Sequence, residues 1–193
     1  MKIISIINQK GGVGKTTTVI NLASALSQLD KKILVIDLDP QGNATTGLGL
    51  SNLVNSQKSI YSVLNGTKKI SDVIEKTNFN NLDLITSNVD LSGLEVETAG
   101  DNRRAFILKE KIMAYLNDSG GVYSHILIDC PPSLSLLTIM ALVTSDSLLV
   151  PLQTEFFALE GVTQLMKTIE RIKNNLNPDL LVRGILLTMY DKR

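Results

Sequence analysis

Asn8-Gln9-Lys10-Gly11-Gly12-Val13-Gly14-Lys15-Thr16-Thr17-Thr18 stands between two patterns of different period. Before it, Lys2 to Ile7 reads as a short apolar strand, with Ile3, Ile4, Ile6 and Ile7 in near-continuous succession. After it, Val19, Leu22, Ala23, Leu26 and Leu29 recur at helical spacing. The glycines therefore sit where a buried strand turns into a helix. Gly11, Gly12 and Gly14 permit a tight bend that turns successive N–H groups toward one point, a concave anion nest. A helix opening near Lys15 adds its unpaired N–H groups and the positive end of its dipole. Lys15 is placed to reach the β- and γ-phosphates of a nucleotide, and the Thr16 hydroxyl to ligate Mg²⁺. This is the pattern of a triphosphate site, with the run from Lys10 to Thr17 as its nucleotide-binding residues.

The loop departs from the common G-x-x-x-x-G-K-[ST] form, which has glycine six residues before the lysine; here that position is Gln9. What stands instead is K-G-G-x-G-K-T, with a second lysine, Lys10, inside the loop. Phosphate binding by a single subunit has no need of that extra cation. The loop resembles the deviant Walker A motif of the ParA/MinD ATPases. That resemblance implies a role for Lys10 in catalysis, reaching the nucleotide of a facing subunit.

Length and composition bound the rest. A chain of 193 residues, 44% hydrophobic and 20% charged, reads as one globular domain over 1–193 with room for a sizeable core. The formal net charge of zero gives no bulk attraction to nucleic acid, so any such contact must use a local patch. A single cysteine, Cys130, excludes an internal disulfide framework and suits a reducing compartment. The apolar run after Lys2 is too short for a secretion signal, and no stretch reaches the length of a membrane span. The expectation is a soluble, cytoplasmic protein.

A second buried strand, Ile33-Leu34-Val35-Ile36-Asp37, runs into Leu38-Asp39-Pro40-Gln41-Gly42-Asn43. Pro40 and Gly42 end regular structure, so Asp37 and Asp39 fall at the carboxyl end of the strand, the rim where open α/β sheets bind ligands. One aspartate there is commonly a turn residue; two straddling the strand end favour metal and water chemistry. His125-Ile126-Leu127-Ile128-Asp129-Cys130-Pro131-Pro132-Ser133 is a further strand ending in an aspartate, the Walker B pattern. Asp129 is expected to hold a Mg²⁺-bound water beside Thr16. The metal set is thus Thr16, Asp37 and Asp129, with Asp39 as the catalytic group that orients the attacking water. Cys130 has no partnering cysteine or histidine cluster and reads as a small residue packed at the strand end, and His125 as structural.

Residues 42–81, rich in Gly, Asn, Ser and Thr, are expected to form a mobile rim with short helices near Ile60–Leu64 and Ser71–Ile74. Strands follow at Leu82–Thr86, Ser147–Pro151 and Leu181–Met189, and helices over Arg103–Asn117, around Leu136–Thr144, and from Leu159 onward. In the last, Leu159, Val162, Leu165, Met166, Ile169 and Ile172 mark the inner side; Lys167, Arg171 and Lys173 read as a solvated face before a DNA contact. Six strands alternating with helices, most of them continuous apolar runs, imply a doubly wound, mostly parallel sheet covered on both faces, of the P-loop NTPase type.

K-G-G-V-G-K-T-T-T, D-L-D-P-Q-G-N, D-C-P-P-S and E-F-F-A-L-E-G occur here in the order found in ParA (Soj-like) chromosome and plasmid partition ATPases. The resemblance runs from Lys2 to Arg193. It implies ATP and Mg²⁺ as cofactors and an ATP-dependent sandwich homodimer that coats duplex DNA non-specifically. It further implies a nucleoid-associated location and a ParB-like centromere-binding partner that stimulates hydrolysis. Such proteins continue past the position of Arg193 with another strand and helices, so the chain is expected to lack that portion. A MinD-like membrane-cycling ATPase is the nearest alternative, although Pro40-Gln41-Gly42-Asn43 leans toward the partition branch. A dethiobiotin synthetase-like enzyme shares the fold but leaves Lys10 without an evident role. An iron protein of the nitrogenase type needs two cysteines per subunit, and one is present.

Overall fold

The computed structural model describes residues 1–53, 57–154 and 158–191, with side chains left undescribed for 158–160. Strand β1 (Lys2–Ile6) leads through the glycine loop into helix α1 (Lys15–Gln28), then β2 (Ile33–Asp37) and the short α2 (Asn43–Gly47) and α3 (Ile60–Leu64). Strands β3 (Ile74–Lys76) and β4 (Leu82–Ile85) precede α4 (Leu94–Glu97) and α5 (Ile107–Ser119). The chain closes with β5 (His125–Asp129), α6 (Leu136–Thr144), β6 (Ser147–Gln153), α7 (Ala158–Asn175) and β7 (Leu181–Thr188).

The strands form one sheet in the order β3-β4-β2-β5-β1-β6-β7. All neighbours are parallel except β3, which runs antiparallel to β4. All five residues of β2 are buried, as a strand covered on both faces requires. One face packs against α3, α5, α6 and α7 through Leu34, Ile36, Ile126, Ile128, Met140 and Leu165. On the other, Val19 and Ala23 of α1 meet Ile6, Ile33, Val35 and Leu127. Helix α6 is buried along nearly its whole length, which accounts for its almost unbroken apolar sequence.

Three expectations are corrected. The sheet has seven strands among the described residues, because part of the segment read as a helix over Ser71–Ile74 ends in the edge strand β3. Leu29 lies past the end of α1 and is 68% exposed, while Val19, Ala23 and Ser27 form the fully buried line of the helix. The helix read from Arg103 begins as a 3₁₀ turn, Arg104–Phe106, and becomes α-helical at Ile107. Strand β7 is the open edge, and most of its residues are exposed. The E-F-F part of the E-F-F-A-L-E-G motif, with the side chain of Leu159, lies outside the described residues.

Candidate nucleotide site

Parallel pairing brings the chemistry-bearing residues to one rim. Asp129 is the register partner of both Ile6 on β1 and Asp37 on β2, so the carboxyl ends of three adjacent strands converge beneath the glycine loop. The loop is tied down on its flank. Asn8 Nδ2 donates to the Pro151 carbonyl at 2.7 Å and Gln9 Nε2 to the Gly161 carbonyl at 2.8 Å, while the Lys10 N–H donates to Asn8 Oδ1 at 3.0 Å. Gly12 (φ +74°) and Gly14 (φ +90°) take the left-handed conformation that makes the loop turn back on itself. A Cβ placed on Gly11 or Gly12 meets nothing within 4 Å, so the cradle is open toward the rim.

Gly14 caps α1 without any side-chain hydrogen bond, and the first turn carries no acidic residue. The leading N–H groups of the helix are thus left for a ligand, and an anion satisfies them best. Lys15 is 7% exposed, and its Nζ donates to the Lys10 carbonyl at 3.0 Å across the loop. Burial pulls this ammonium below its ordinary pKa, while Asp129 and Asp39 pull back upward. A cleft of about 290 Å³ gathers Gly11, Gly12, Gly14, Lys15, Thr16, Thr17 and Asp39 and adds Asn43 and Pro132. A larger groove of about 470 Å³, between α5 and Lys68–Ser71, holds none of these groups.

The three aspartates have different surroundings. Asp39, 6% exposed, accepts the Gln41 N–H on Oδ1 at 3.0 Å and lines the cleft. Asp37 lies deeper: its Oδ2 accepts the Thr45 N–H at 2.8 Å and the Thr45 hydroxyl at 2.7 Å, and its Oδ1 the Asp39 N–H at 3.2 Å. Thr45 in turn accepts the Ser87 N–H at 3.1 Å, linking the ends of β2 and β4 to α2. Burial raises Asp37 to about 6 against the pull of the Thr45 bonds. Both carboxylate oxygens of Asp129 are buried without a hydrogen-bond partner. Burial and then Asp37 raise its pKa to about 7, with Thr16 near enough to oppose the rise yet outside hydrogen-bonding geometry. Two buried acceptor oxygens facing a threonine hydroxyl, below an open anion cradle, fit a hydrated divalent cation held with a nucleotide.

Sequence reasoning missed Asn43 and Thr45, whose part depends on the fold of α2, and Thr188, which touches the loop from the far end of the chain. Lys10 is exposed on the rim and does not line the cleft. Cys130 is buried and free, its thiol pushed up by burial, as a packing residue is expected to be.

The raised pKa of Asp129 predicts a pH signature. The carboxyl group titrates at about 7 in the folded chain against an ordinary 3.8, so ionisation opposes folding increasingly as pH rises through that window. With nucleotide and divalent cation absent, Asp129→Asn is expected to stabilise the protein by about 4 kcal/mol at pH 8, shrinking toward pH 5. Thermal unfolding across that range is the measurement. A pH-independent difference assigns the change to packing instead.

A family model described as an AAA domain matches residues 1–182. Over 193 residues the chain is 48% identical to the chromosome partitioning protein ParA of Caulobacter vibrioides, covering all of this chain and 71% of that protein. It is 45% identical over 192 residues to the sporulation initiation inhibitor protein Soj of Bacillus subtilis, covering 74% of it. Among solved structures, cobyrinic acid a,c-diamide synthase from Mycobacterium smegmatis with bound ADP and magnesium matches the whole chain and 76% of its own. That match has a TM-score of 0.92 at 36% identity.

Proposed function

The chain belongs to the ParA-type (Soj-like) partition ATPases, and from that premise we propose that it is a Mg²⁺-dependent ATPase switched by its nucleotide. In this reading the ATP-bound form is a sandwich homodimer that binds duplex DNA non-specifically. A ParB-like centromere-binding protein stimulates hydrolysis and release, driving chromosome or plasmid segregation in a cytoplasmic, nucleoid-associated protein. The observation that carries the reading is the placement of two lysines of one loop. Lys15 is buried against the cleft, and Lys10 stands exposed on the rim, where a second subunit can be met.

The residues divide the work as follows. The N–H groups from Gly11 to Thr17 hold the phosphates, and the Lys15 ammonium moves from the Lys10 carbonyl to the terminal phosphates. Thr16 and Asp129 hold Mg²⁺, which supplies charge neutralisation on the phosphate oxygens when bound. Asp39 accepts a hydrogen bond from the attacking water and aligns it. Asp37, expected among the metal residues, has its oxygens turned to Thr45 and Asp39, so its share in the metal site is to brace the segment that carries Asp39. Lys10 completes the charge around the partner's nucleotide.

The likeness to the diamide synthase favours, as a second reading, a small-molecule enzyme on the same fold. Among the described residues no helix is long and apolar enough to cross a membrane; a peripheral, MinD-like cycle is separated by experiment. Lys10→Ala is expected to bind ATP within about threefold of the parent but to lose the ATP-dependent dimer, because its charge serves the facing subunit. Light scattering with and without ATP measures this, and a variant that no longer binds ATP places Lys10 in its own subunit's site. Parallel tests of ATP-dependent binding to arbitrary duplex DNA and to anionic vesicles decide between partition and membrane cycling; binding to neither favours the small-molecule reading.

A further inference from the structure

We propose that Thr188, the last residue of β7, is a positioning residue of the phosphate loop: its hydroxyl pins the Val13–Gly14 peptide so that the Gly14 N–H stays turned toward the phosphates. This rests on the nucleotide site proposed above. Thr188 Oγ1 donates to the Val13 carbonyl at 2.9 Å, across a sequence separation of 175 residues. Its Cγ2 lies 3.6 Å from where a Cβ on Gly14 would stand, so the side chain also packs against the loop. Strand β7 is otherwise open: of its eight residues, only Gly184 and Thr188 are half-buried. Register pairing with Gln153 on β6 sets Thr188 at the end of the strand, and from there its side chain reaches the loop.

The consequence follows from peptide geometry. In a trans peptide the carbonyl and the following N–H point in opposite directions, and no described peptide is cis. Drawing the Val13 oxygen out toward β7 therefore aims the Gly14 N–H the other way, into the nest. Without that tether the peptide next to Gly14 has little intrinsic resistance to rotation, because glycine accepts either sign of φ. A rotated peptide puts a carbonyl oxygen where an N–H met the anion. Directly after Thr188, Met189 takes φ +50°, a left-handed turn uncommon outside glycine, and carries the chain off the strand direction once the loop contact is made.

ADP affinity, measured by calorimetry, tests the assignment. Thr188→Val keeps the shape and removes the donor, and it is expected to bind ADP about tenfold more weakly, one net hydrogen bond or ~1.4 kcal/mol. Thr188→Ser restores the hydroxyl and is expected to remain within about threefold of the parent. In turnover assays the Val variant should raise KM with kcat little changed, because the held N–H serves ground and transition states alike. Thermal unfolding checks that each variant folds. If the Val variant binds ADP like the parent while Lys15→Ala loses it, the role of Thr188 is refuted and the site stands. A Ser variant as weak as the Val variant assigns the effect to packing and also overturns the proposal. If Lys15→Ala itself binds ADP normally, it is the nucleotide site that fails.

Discussion

Asp39→Ala is expected to slow single-turnover ATP hydrolysis by about two to three orders of magnitude while ATP binding persists. Asp39 is the aspartate that reaches the cleft; Asp37 and Asp129 lie beneath it. Its Oδ1 accepts the Gln41 N–H, which anchors the carboxylate at the cleft wall. Phosphoryl transfer gains most of its rate from positioning and charge stabilisation, so if Asp39 aligns the attacking water as proposed, its removal strikes the chemical step directly. The phosphate nest and Lys15 remain, so affinity survives. The same variant should dimerise with ATP and stay dimeric far longer than the parent. In a version as long as the ParA relatives, of which this chain covers 71%, the trapped dimer should also hold duplex DNA and release it as salt rises, since phosphate contacts weaken with ionic strength. Asp39→Asn separates the two features of the side chain, keeping an acceptor for Gln41 while losing the charge. Hydrolysis at the parental rate in both variants makes Asp39 a loop residue and removes the centre of the mechanism.

What the sequence disclosed and what it hid divide along physical lines. Strand β2 and helix α6 occur where the sequence places them, because their signals are local: five buried residues closed by a proline–glycine turn in one, an almost unbroken apolar run in the other. The loop, Lys15, Thr16 and the strand-end aspartates were legible for the same reason, since a strand, a turn and a helix start lie within a few residues. Helix α2 was not. Its five residues have no side-chain cap and are held by the Asp37 carboxylate on Thr45, a bond across eight positions that exists only once β2 has set the aspartate in place. Strand β3 exists because the edge of β4 offers unpaired groups, and its three residues carry little strand signal alone. The exposure of β7 runs against its composition: Ile185, Leu186 and Leu187 are apolar yet exposed, and the sheet order among the described residues puts them on an edge. Thr188 illustrates the limit most sharply, since its hydrogen bond to Val13 joins opposite ends of the chain.

Lys15→Ala is expected to weaken ATP and ADP binding by about 100-fold or more, on the order of 3 kcal/mol, because it removes charge-assisted bonds to the terminal phosphates. The ammonium is already drawn out of water, 7% exposed and bonded only weakly to a neutral carbonyl, so a phosphate oxygen is a better partner than the one it leaves. Its loss reaches the metal position as well. Lys15 is one of the groups that hold the Asp129 pKa down against burial, so the variant should leave Asp129 protonated to higher pH and less able to serve a cation. Thr16→Ala makes the contrasting case. Its hydroxyl is set beside Asp129 and the helix N–H groups remain, so ADP binding without Mg²⁺ should stay within about threefold of the parent, while the gain from added Mg²⁺ disappears. Calorimetry with each nucleotide, with and without Mg²⁺, resolves the two patterns. Unchanged Mg-ATP affinity in both variants overturns the assignment of this loop to phosphate binding, and with it the roles given to Asp39 and Lys10, because each is defined by where the terminal phosphate lies.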